Sequence, residues 1–339
     1  MRTTAGRAVL PALAASLLSV PPAFAAPVVV GDAGAEPLPA LAVDRGKVFW
    51  LRLSERFGTP ADVVAAAPGA PEQVLLRGPQ PAGSGVEQLG WVAAGGGFVA
   101  ATLTDYFRTE ETVRVLRSGL WSGPPRPELP PVPLRDGETA GDVAIADRRL
   151  VALVHRGSGR RPPVRLVTRD LTTGALGSRR LDRDTMMMVA AGRWIATFRQ
   201  RSEYDRTRVT VRDARTWRAV TRIAVAADAI EIAAALRPDG TLALVYGFDR
   251  LKLALVPRGA KRLRRVRARP QGYAVRFAGG APLIVQGGRI VRVRPGRAPR
   301  PLTPRFTTIS AFDASGGLLA WRTRTQVLAT RLTPGGPSG

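Results

Sequence analysis

Arginine is the residue type whose number and spacing in this sequence point most clearly to chemistry. Between Arg250 and Phe312 the chain has 16 basic residues and no acidic one. Basic and apolar residues alternate in "RRVRAR" (264–269) and "RIVRVR" (289–294), so on a strand the arginines would share one face. A guanidinium group binds carboxylate or phosphate through two parallel hydrogen bonds. We therefore predict a polyanion-binding surface formed by Arg262, Arg264, Arg265, Arg267, Arg269, Arg292 and Arg294.

The overall charge supports this interpretation and leaves an alternative open. The chain carries 51 Lys and Arg against 26 Asp and Glu, a formal net charge of +25. Residues 141–339 hold 39 basic and 13 acidic side chains, whereas residues 26–140 hold 10 and 13. A field of one sign attracts polyanions. The alternative is an ordinary solvated face, with arginine favoured over lysine by the base composition of the genome.

The residue types needed for catalysis and metal binding are scarce. The sequence has no cysteine, a single histidine (His155, expected to be structural) and no Gly-x-Ser-x-Gly motif. We predict no metal site and no cofactor. One enzymatic alternative remains, a carbohydrate-active hydrolase or lyase, because glycoside hydrolysis requires only two carboxylates. Its candidate acids are Asp105, Glu110, Glu203, Asp205 and Asp249.

A repeated phrase indicates the elements that must position these residues. "DRGKVFW", "GGGFVA", "DRRLVAL", "AGRWIATF", "DGTLALV", "GGAPLIV" and "SGGLLAW" each join a turn to an apolar strand. They recur at intervals of 35 to 52 residues, a period typical of propeller blades. A small-residue strand precedes each phrase and an alternating strand follows it, as in "RVTVRD" (208–213). No stretch shows a helical period with capping residues.

We therefore predict an all-β fold, a seven-bladed β-propeller of four-stranded blades in one domain, residues 26–333. The expected blades cover residues 37–80, 86–135, 140–182, 184–226, 228–269, 271–304 and 305–333. The last unit lacks a fourth strand, and "PVVVG" (27–31) could supply it and close the ring. The alternative for this segment is a disordered leader. Six blades, eight blades or a pair of β-sandwiches are the alternative architectures.

Two hairpins carry a resemblance to known proteins. "LRPDGTLALV" (236–245) contains a Pro-Asp-Gly turn, and "VTRDLTTGAL" (167–176) contains an Asp followed by Thr-Gly. The two segments resemble hairpins of TolB-like and WD-repeat-like bacterial propellers. Each match covers one blade, no blade has a Trp-Asp pair, and only one has the Pro-Asp-Gly turn. The resemblance implies the fold and carries almost no functional information.

A second candidate surface follows from the predicted propeller. Loops between second and third strands place an aromatic residue near an arginine in "DYFRTEE" (105–111), "SEYDR" (202–206) and "GFDR" (247–250). The loop "HRGSGRRPP" (155–163) adds Arg160 and Arg161. If these loops converge, they could bind a ring bearing an acid group. The alternative is that they only pack over and close the loops. The predicted mouth residues are Tyr106, Arg108, Arg160, Arg161, Tyr204, Arg206, Phe248 and Arg250.

The N-terminus has the features of a secretory signal. Arg2 and Arg7 precede the apolar run 8–20, and "AFA" (23–25) has the small-x-small pattern of a cleavage site before Ala26. We predict a signal peptide at 1–25, export to the periplasm, envelope or medium, and a disordered tail at 334–339. The expected function is a monomeric, non-catalytic binding module. Its expected partner is an acidic polysaccharide, another anionic envelope polymer or an envelope protein, without sequence-specific nucleic-acid binding.

Overall fold

A computed structural model describes residues 26–332, except 35–39, 53–61, 78–85, 110–111, 124–131, 133, 136, 158–162, 203–204 and 226–231. The predicted signal peptide and the predicted C-terminal tail lie outside the described residues. Within the described part of the chain, no helix is long and apolar enough to cross a membrane.

The residues that the structure describes form 27 antiparallel strands in seven sheets. The first sheet contains β2 (Leu41–Asp44), β3 (Lys47–Arg52), β4 (Asp62–Ala66) and β5 (Gln73–Arg77). The second contains β6 (Val86–Gly95), β7 (Phe98–Thr109) and β8 (Thr112–Gly123). The third contains β9 (Glu138–Ala146), β10 (Arg149–Arg156), β11 (Val164–Asp170) and β12 (Leu176–Arg180). The fourth contains β13 (Thr185–Ala191), β14 (Trp194–Arg199), β15 (Arg208–Asp213) and β16 (Ala219–Ala224).

The remaining strands complete three further sheets. The fifth sheet contains β17 (Ile232–Leu236), β18 (Leu242–Tyr246), β19 (Lys252–Val256) and β20 (Arg264–Val266). The sixth contains β21 (Val275–Ala278), β22 (Ala281–Gln286), β23 (Arg289–Arg292) and β24 (Arg300–Pro301). The seventh contains β25 (Ala311–Ser315), β26 (Leu318–Arg322), β27 (Gln326–Arg331) and the N-terminal strand β1 (Val28–Asp32).

Six of these sheets are four-stranded blades, so the prediction of a seven-bladed propeller of four-stranded blades is wrong. Strands β6, β7 and β8 form a three-stranded sheet, which contacts the first and third sheets. The repeated phrase marks hairpins, and all seven hairpins are present, including Phe98 paired with Gly95. A hairpin does not guarantee two further strands. The sequence after β8 is rich in proline, which cannot donate to a β-ladder.

The hairpin turns explain the repeated phrase. A type I′ turn, one of the two-residue turns that match the twist of their strands, requires positive φ at both central residues. Asp147 and Arg148 have φ values of 49° and 58° between β9 and β10, although neither is glycine. Asp tolerates this conformation better than most residues, and Gly-Gly supplies it between β6 and β7.

Blade-to-blade packing explains why the second strands are continuously apolar. All five residues of β18 are buried. Leu242, Leu244 and Tyr246 belong to the core shared with the fourth sheet, while Ala243 and Val245 belong to the core shared with the sixth. Since both faces of the strand are covered, the period-two alternation of a half-exposed strand disappears.

The first strands of successive sheets contact one another, and β25 contacts β2, so the sheets form a ring. Two partly buried carboxylates connect adjacent first strands. Asp142 of β9 accepts a hydrogen bond from the backbone NH of Met188 in β13 (2.6 Å), and Asp313 of β25 accepts one from Val43 in β2 (2.8 Å). Burial raises the pKa of Asp142 to about 6 and also raises that of Asp313.

The N-terminal strand completes the last blade, as the sequence suggests for residues 27–31. β1 pairs antiparallel with β27 and is the fourth strand of the last blade. The Trp50 indole Nε1 donates to the carbonyl oxygen of Asp32 (2.9 Å). The fully buried guanidinium of Arg322 donates to the carbonyl oxygens of Leu51 (3.0 Å) and Ala33. The first sheet, the last sheet and the N-terminal segment are therefore joined at one point.

Candidate functional site: an arginine-lined cleft

The residues predicted to bind polyanions, here called the arginine wall (Arg262, Arg264, Arg265, Arg267, Arg269, Arg292 and Arg294), lie on and around β20 and β23. Arg265 and Arg267 are exposed, while the intervening Val266 is 9% exposed and belongs to the core. The basic and apolar residues here therefore point in opposite directions, as their alternation predicts. Arg262, Arg264 and Arg269 are exposed as well.

The part of the arginine wall on β23 differs from a fully solvated surface. Arg294 is exposed, but Arg292 is only partly exposed and its Nε has no hydrogen-bond partner. Burial and the neighbouring charges of Arg294 and Arg300 lower the pKa of Arg292. Among the described residues, the charged groups that act on Arg292 are therefore also positive.

The structure does not test the predicted mouth. Tyr106 and Arg108 lie within β7, and their side chains are not described. Arg160, Arg161 and Tyr204 lie outside the described residues. Arg206, Phe248 and Arg250 are exposed, Phe248 by 67%. That these eight residues form one binding surface therefore stays a prediction.

A third basic surface, which the sequence analysis missed, lies between the third and fourth sheets. Alternation along β15 separates Arg208, Thr210 and Arg212 from Val209 and Val211, which are 1% exposed and pack in the core of the opposite face. The basic face of β15 lines a cavity of about 860 Å³ that extends to β12.

Neighbouring strands add further basic residues to this face. Arg199 of β14 lies opposite Arg208, and Arg222 of β16 lies opposite Thr210. Arg180 of β12 and Lys261 of the β19–β20 loop also line the cavity. The arginine cleft is the set Arg180, Arg199, Arg208, Arg212, Arg222 and Lys261.

The positive charge of the arginine cleft is only partly balanced. Arg199 forms ion pairs with Asp182 (2.8 Å) and Asp184 (3.5 Å). The other five basic residues form no ion pair with any residue that the structure describes. Burial and the charge of Arg222 lower the pKa of Arg212, against the opposing effect of Asp182. A bound anion would relieve this repulsion.

Trp217 organises one end of the arginine cleft. Its ring centroid lies 4.9 Å from the guanidinium carbon of Arg179 and 5.3 Å from that of Arg212. Such stacking holds a guanidinium while leaving its in-plane NH groups available to other acceptors. Trp217 has φ of 61°, an uncommon conformation for a bulky side chain. It also lines a smaller cavity of about 180 Å³ between the same two sheets.

The turn before Trp217 is fixed by a buried carboxylate. Asp213 accepts hydrogen bonds from the backbone NH groups of Arg215 (2.8 Å) and Thr216 (3.1 Å), and from the Arg193 guanidinium. These bonds lower the pKa of Asp213 to about 2. The Trp217 NH donates to the Asp213 carbonyl oxygen (2.8 Å). Local turn chemistry therefore sets the position of the tryptophan.

The structure does not test the enzymatic alternative, because it describes the side chains of only two of the five candidate acids. His155 is partly buried on β10, which lowers its pKa. Asp205 and Asp249 are exposed. Glu110 and Glu203 lie outside the described residues, as does the side chain of Asp105. The residues that the structure describes include no group of three or more potential metal ligands.

Sequence comparison gives no match to this chain, because no family model matches it and no protein with a curated description does. Membership of the TolB-like group therefore stays a prediction.

Solved structures do match the chain. It is similar to the Pyrococcus horikoshii acylaminoacyl peptidase, with 10% identity, a TM-score of 0.53, and coverage of 74% of this chain and 46% of the peptidase. It is also similar to the β-propeller domain of the Trilobed protease from Pyrococcus furiosus, with 10% identity, a TM-score of 0.50 and coverages of 69% and 77%. A third match is the Cps50 (Swd1) propeller of Myceliophteria thermophila, with 14% identity, a TM-score of 0.55 and coverages of 90% and 100%.

The chain spans about half the length of the acylaminoacyl peptidase that it matches. At these identities the likeness concerns the fold alone. The structure and its neighbours thus agree that the chain has an all-β propeller fold, like protease propeller domains and WD40 scaffolds.

Proposed function

We propose that this protein is an exported, non-catalytic propeller that binds an acidic polymer across the arginine cleft and the arginine wall. The observation that carries the proposal is the concentration, on one part of the molecule, of basic side chains that have no ion-pair partner among the described residues. Clustered charge of one sign raises the local concentration and the association rate of an oppositely charged ligand.

The two surfaces adjoin each other along the chain. Lys261 lines the arginine cleft, and the next residue, Arg262, belongs to the arginine wall. An extended polymer could therefore contact both surfaces at once, which a single small anion could not. Contacts at several charges on one chain add avidity without requiring each contact to be strong.

Export and family membership belong to the same proposal. Residues 1–25 have the pattern of a signal peptide, and an acidic envelope polymer would be encountered after export. The Pro-Asp-Gly turn, in which Asp239 accepts a hydrogen bond from the Thr241 backbone NH (2.8 Å), is one of the two hairpin features that resemble TolB-like propellers, and the place we propose among them rests on that resemblance. N-terminal sequencing of the protein recovered outside the cytoplasm tests the predicted cleavage before Ala26.

Retention on heparin across a salt series tests the binding function. One variant replaces Arg180, Arg208, Arg212 and Arg222 by Gln, and a second replaces Arg265, Arg267, Arg269 and Arg294 by Gln. A control variant replaces the exposed Lys47, Arg156, Arg324 and Arg331 by Gln, so all three variants lose four charges.

We expect the first two variants to elute at clearly lower salt than the control. Electrostatic contacts to a polyanion release counterions, so removing contacts also weakens the dependence of binding on salt. If all three variants shift equally, net charge alone explains retention and the proposal is wrong. Circular dichroism establishes that each variant is folded.

A further inference from the structure

The arginine cleft has features that distinguish among acidic ligands, and an inference drawn from them rests on the proposed function. Opposed residues on adjacent strands have Cβ atoms about 5 Å apart, and diagonal neighbours about 7–8 Å apart. Arg199 and Arg208 are directly opposed, while Arg222 is diagonal to both Arg208 and Arg212 through its pairing with Thr210. Guanidinium groups from three strands can therefore reach one small volume.

This density of positive charge favours a ligand whose negative charges are equally close together. In a chain of phosphates, consecutive charged groups are separated by a single bridging oxygen. In a polyuronate, each charge is separated from the next by a whole sugar ring. The five cleft residues that form no ion pair with a described residue surround one cavity of about 860 Å³, so closely spaced phosphates match them better.

The type of donor also favours phosphate. Arginine binds phosphate bidentately, and the Arg212 guanidinium already lies against the Trp217 ring, with its carbon 5.3 Å from the ring centroid, before any ligand arrives. Thr210, which is partly exposed between Arg208 and Arg212, adds a hydroxyl donor on the same face. A preorganised donor loses less entropy on binding than a mobile side chain does.

We propose that the arginine cleft is a binding site for a linear chain of closely spaced phosphate groups, with Arg208, Arg212 and Arg222 as the principal ligands. Trp217 is a positioning residue that holds Arg212. The ligand binds by hydrogen bonds and charge, and no bond is made or broken. The arginine wall contributes only the less selective attraction of the proposed function.

Calorimetric titration of the protein with inorganic tripolyphosphate tests the proposal. The probe for comparison is an oligogalacturonate of the same total charge, at the same ionic strength. The site variant carries Arg208→Gln, Arg212→Gln and Arg222→Gln, and its matched control carries Arg156→Gln, Arg324→Gln and Arg331→Gln. We expect affinity for tripolyphosphate to fall roughly 30-fold in the site variant and less than about threefold in the control.

A charge-preserving variant covers the case in which the triple Gln protein does not fold. Replacing Arg208, Arg212 and Arg222 by Lys keeps the charge and removes the bidentate donors. We expect tripolyphosphate affinity to fall about fivefold or more while retention on heparin stays nearly unchanged. Lysine variants that bind tripolyphosphate as tightly as the original protein would overturn the assignment.

The two proposals fail in different ways. The phosphate-chain assignment is wrong, and the proposed function stands, in either of two cases. In the first, oligogalacturonate binds as tightly as tripolyphosphate. In the second, neither probe requires the arginine cleft for binding while heparin is still retained. If no acidic polymer is retained beyond the charge-matched control, both are wrong.

Discussion

Replacing Arg322 by Met tests how the ring of sheets is held closed. The Arg322 guanidinium is fully buried and donates to the carbonyl oxygens of Leu51 in the first sheet and Ala33 in the N-terminal segment. Methionine has a similar length and no donor, so the substitution removes both hydrogen bonds without leaving a large cavity. We expect the contact between the first and last sheets to weaken.

The size of the effect follows from two opposing contributions. A hydrogen bond from a charged donor contributes about 1.5–3 kcal/mol, so two give roughly 3–6 kcal/mol. Against this, burial of the guanidinium, which also lowers the pKa of Arg322, has a desolvation cost that methionine does not have. We expect the free energy of unfolding to fall by about 2–4 kcal/mol.

Urea unfolding measures this change, and hydrogen exchange locates it. We expect amides of β1 to exchange faster in the variant, because the N-terminal strand is attached through this contact. Arg331→Met, an exposed arginine on β27 of the same blade, is the control and should have little effect. If both variants unfold at the same urea concentration as the original protein, the guanidinium does not hold the ring closed.

Three further changes give distinct results. The pKa of Asp142 is raised to about 6 from an ordinary 3.8, so the folded state binds its proton more tightly and stability should fall as pH rises from about 4 to 6. Urea unfolding of Asp142→Asn should lack that decline, and parallel pH curves would contradict the burial argument. Gly31→Ala places a Cβ 2.6 Å from Trp50 Cζ2 and should lower the free energy of unfolding in urea by about 1–3 kcal/mol. The loss should exceed that of Gly141→Ala, whose added Cβ has its nearest contact at 3.4 Å. Equal losses of stability in the two variants would contradict this. Asp213→Ala removes the hydrogen-bond acceptor that orders the turn before Trp217. Calorimetry should therefore show several-fold weaker tripolyphosphate binding. Unchanged affinity would contradict the role of that turn.

The local elements were predictable because their signals are local. Turns that contain glycine between apolar strands identify hairpins from sequence alone. The pair Asp44–Lys47, around Arg45-Gly46, and the pair Ala278–Ala281, around Gly279-Gly280, confirm two of them. The lone N-terminal strand was predictable because the last repeat lacked a partner for its edge.

The number of complete blades was less accessible. A Gly-Gly turn precedes β7, as it precedes other second strands. Among the described residues, however, this sheet has three strands, of 10, 12 and 12 residues. A hairpin signal extends over a few residues, whereas a fourth strand depends on pairing further along the chain. Counting hairpins therefore overestimated the number of blades.

The arginine cleft was not predicted because its residues come from three different sheets. The alternation of Arg208, Thr210 and Arg212 is visible in the sequence, but it resembles any half-exposed strand. Arg180 joins the cleft only because β12 lies across the cavity from β15. A usable signal would have been basic residues at alternating positions on two consecutive outer strands, as at Arg208 and Arg212 on β15 and at Arg222 on β16.

Arginine-specific chemical footprinting in the presence of heparin tests the central claim most directly. Phenylglyoxal modifies accessible guanidinium groups, and mass spectrometry then shows which arginines the bound polymer protects. The account predicts protection of Arg208, Arg222 and Arg265, with none at Arg324 or Arg331. Uniform protection at all exposed arginines, or protection confined to the predicted mouth residues Arg206 and Arg250, would contradict it.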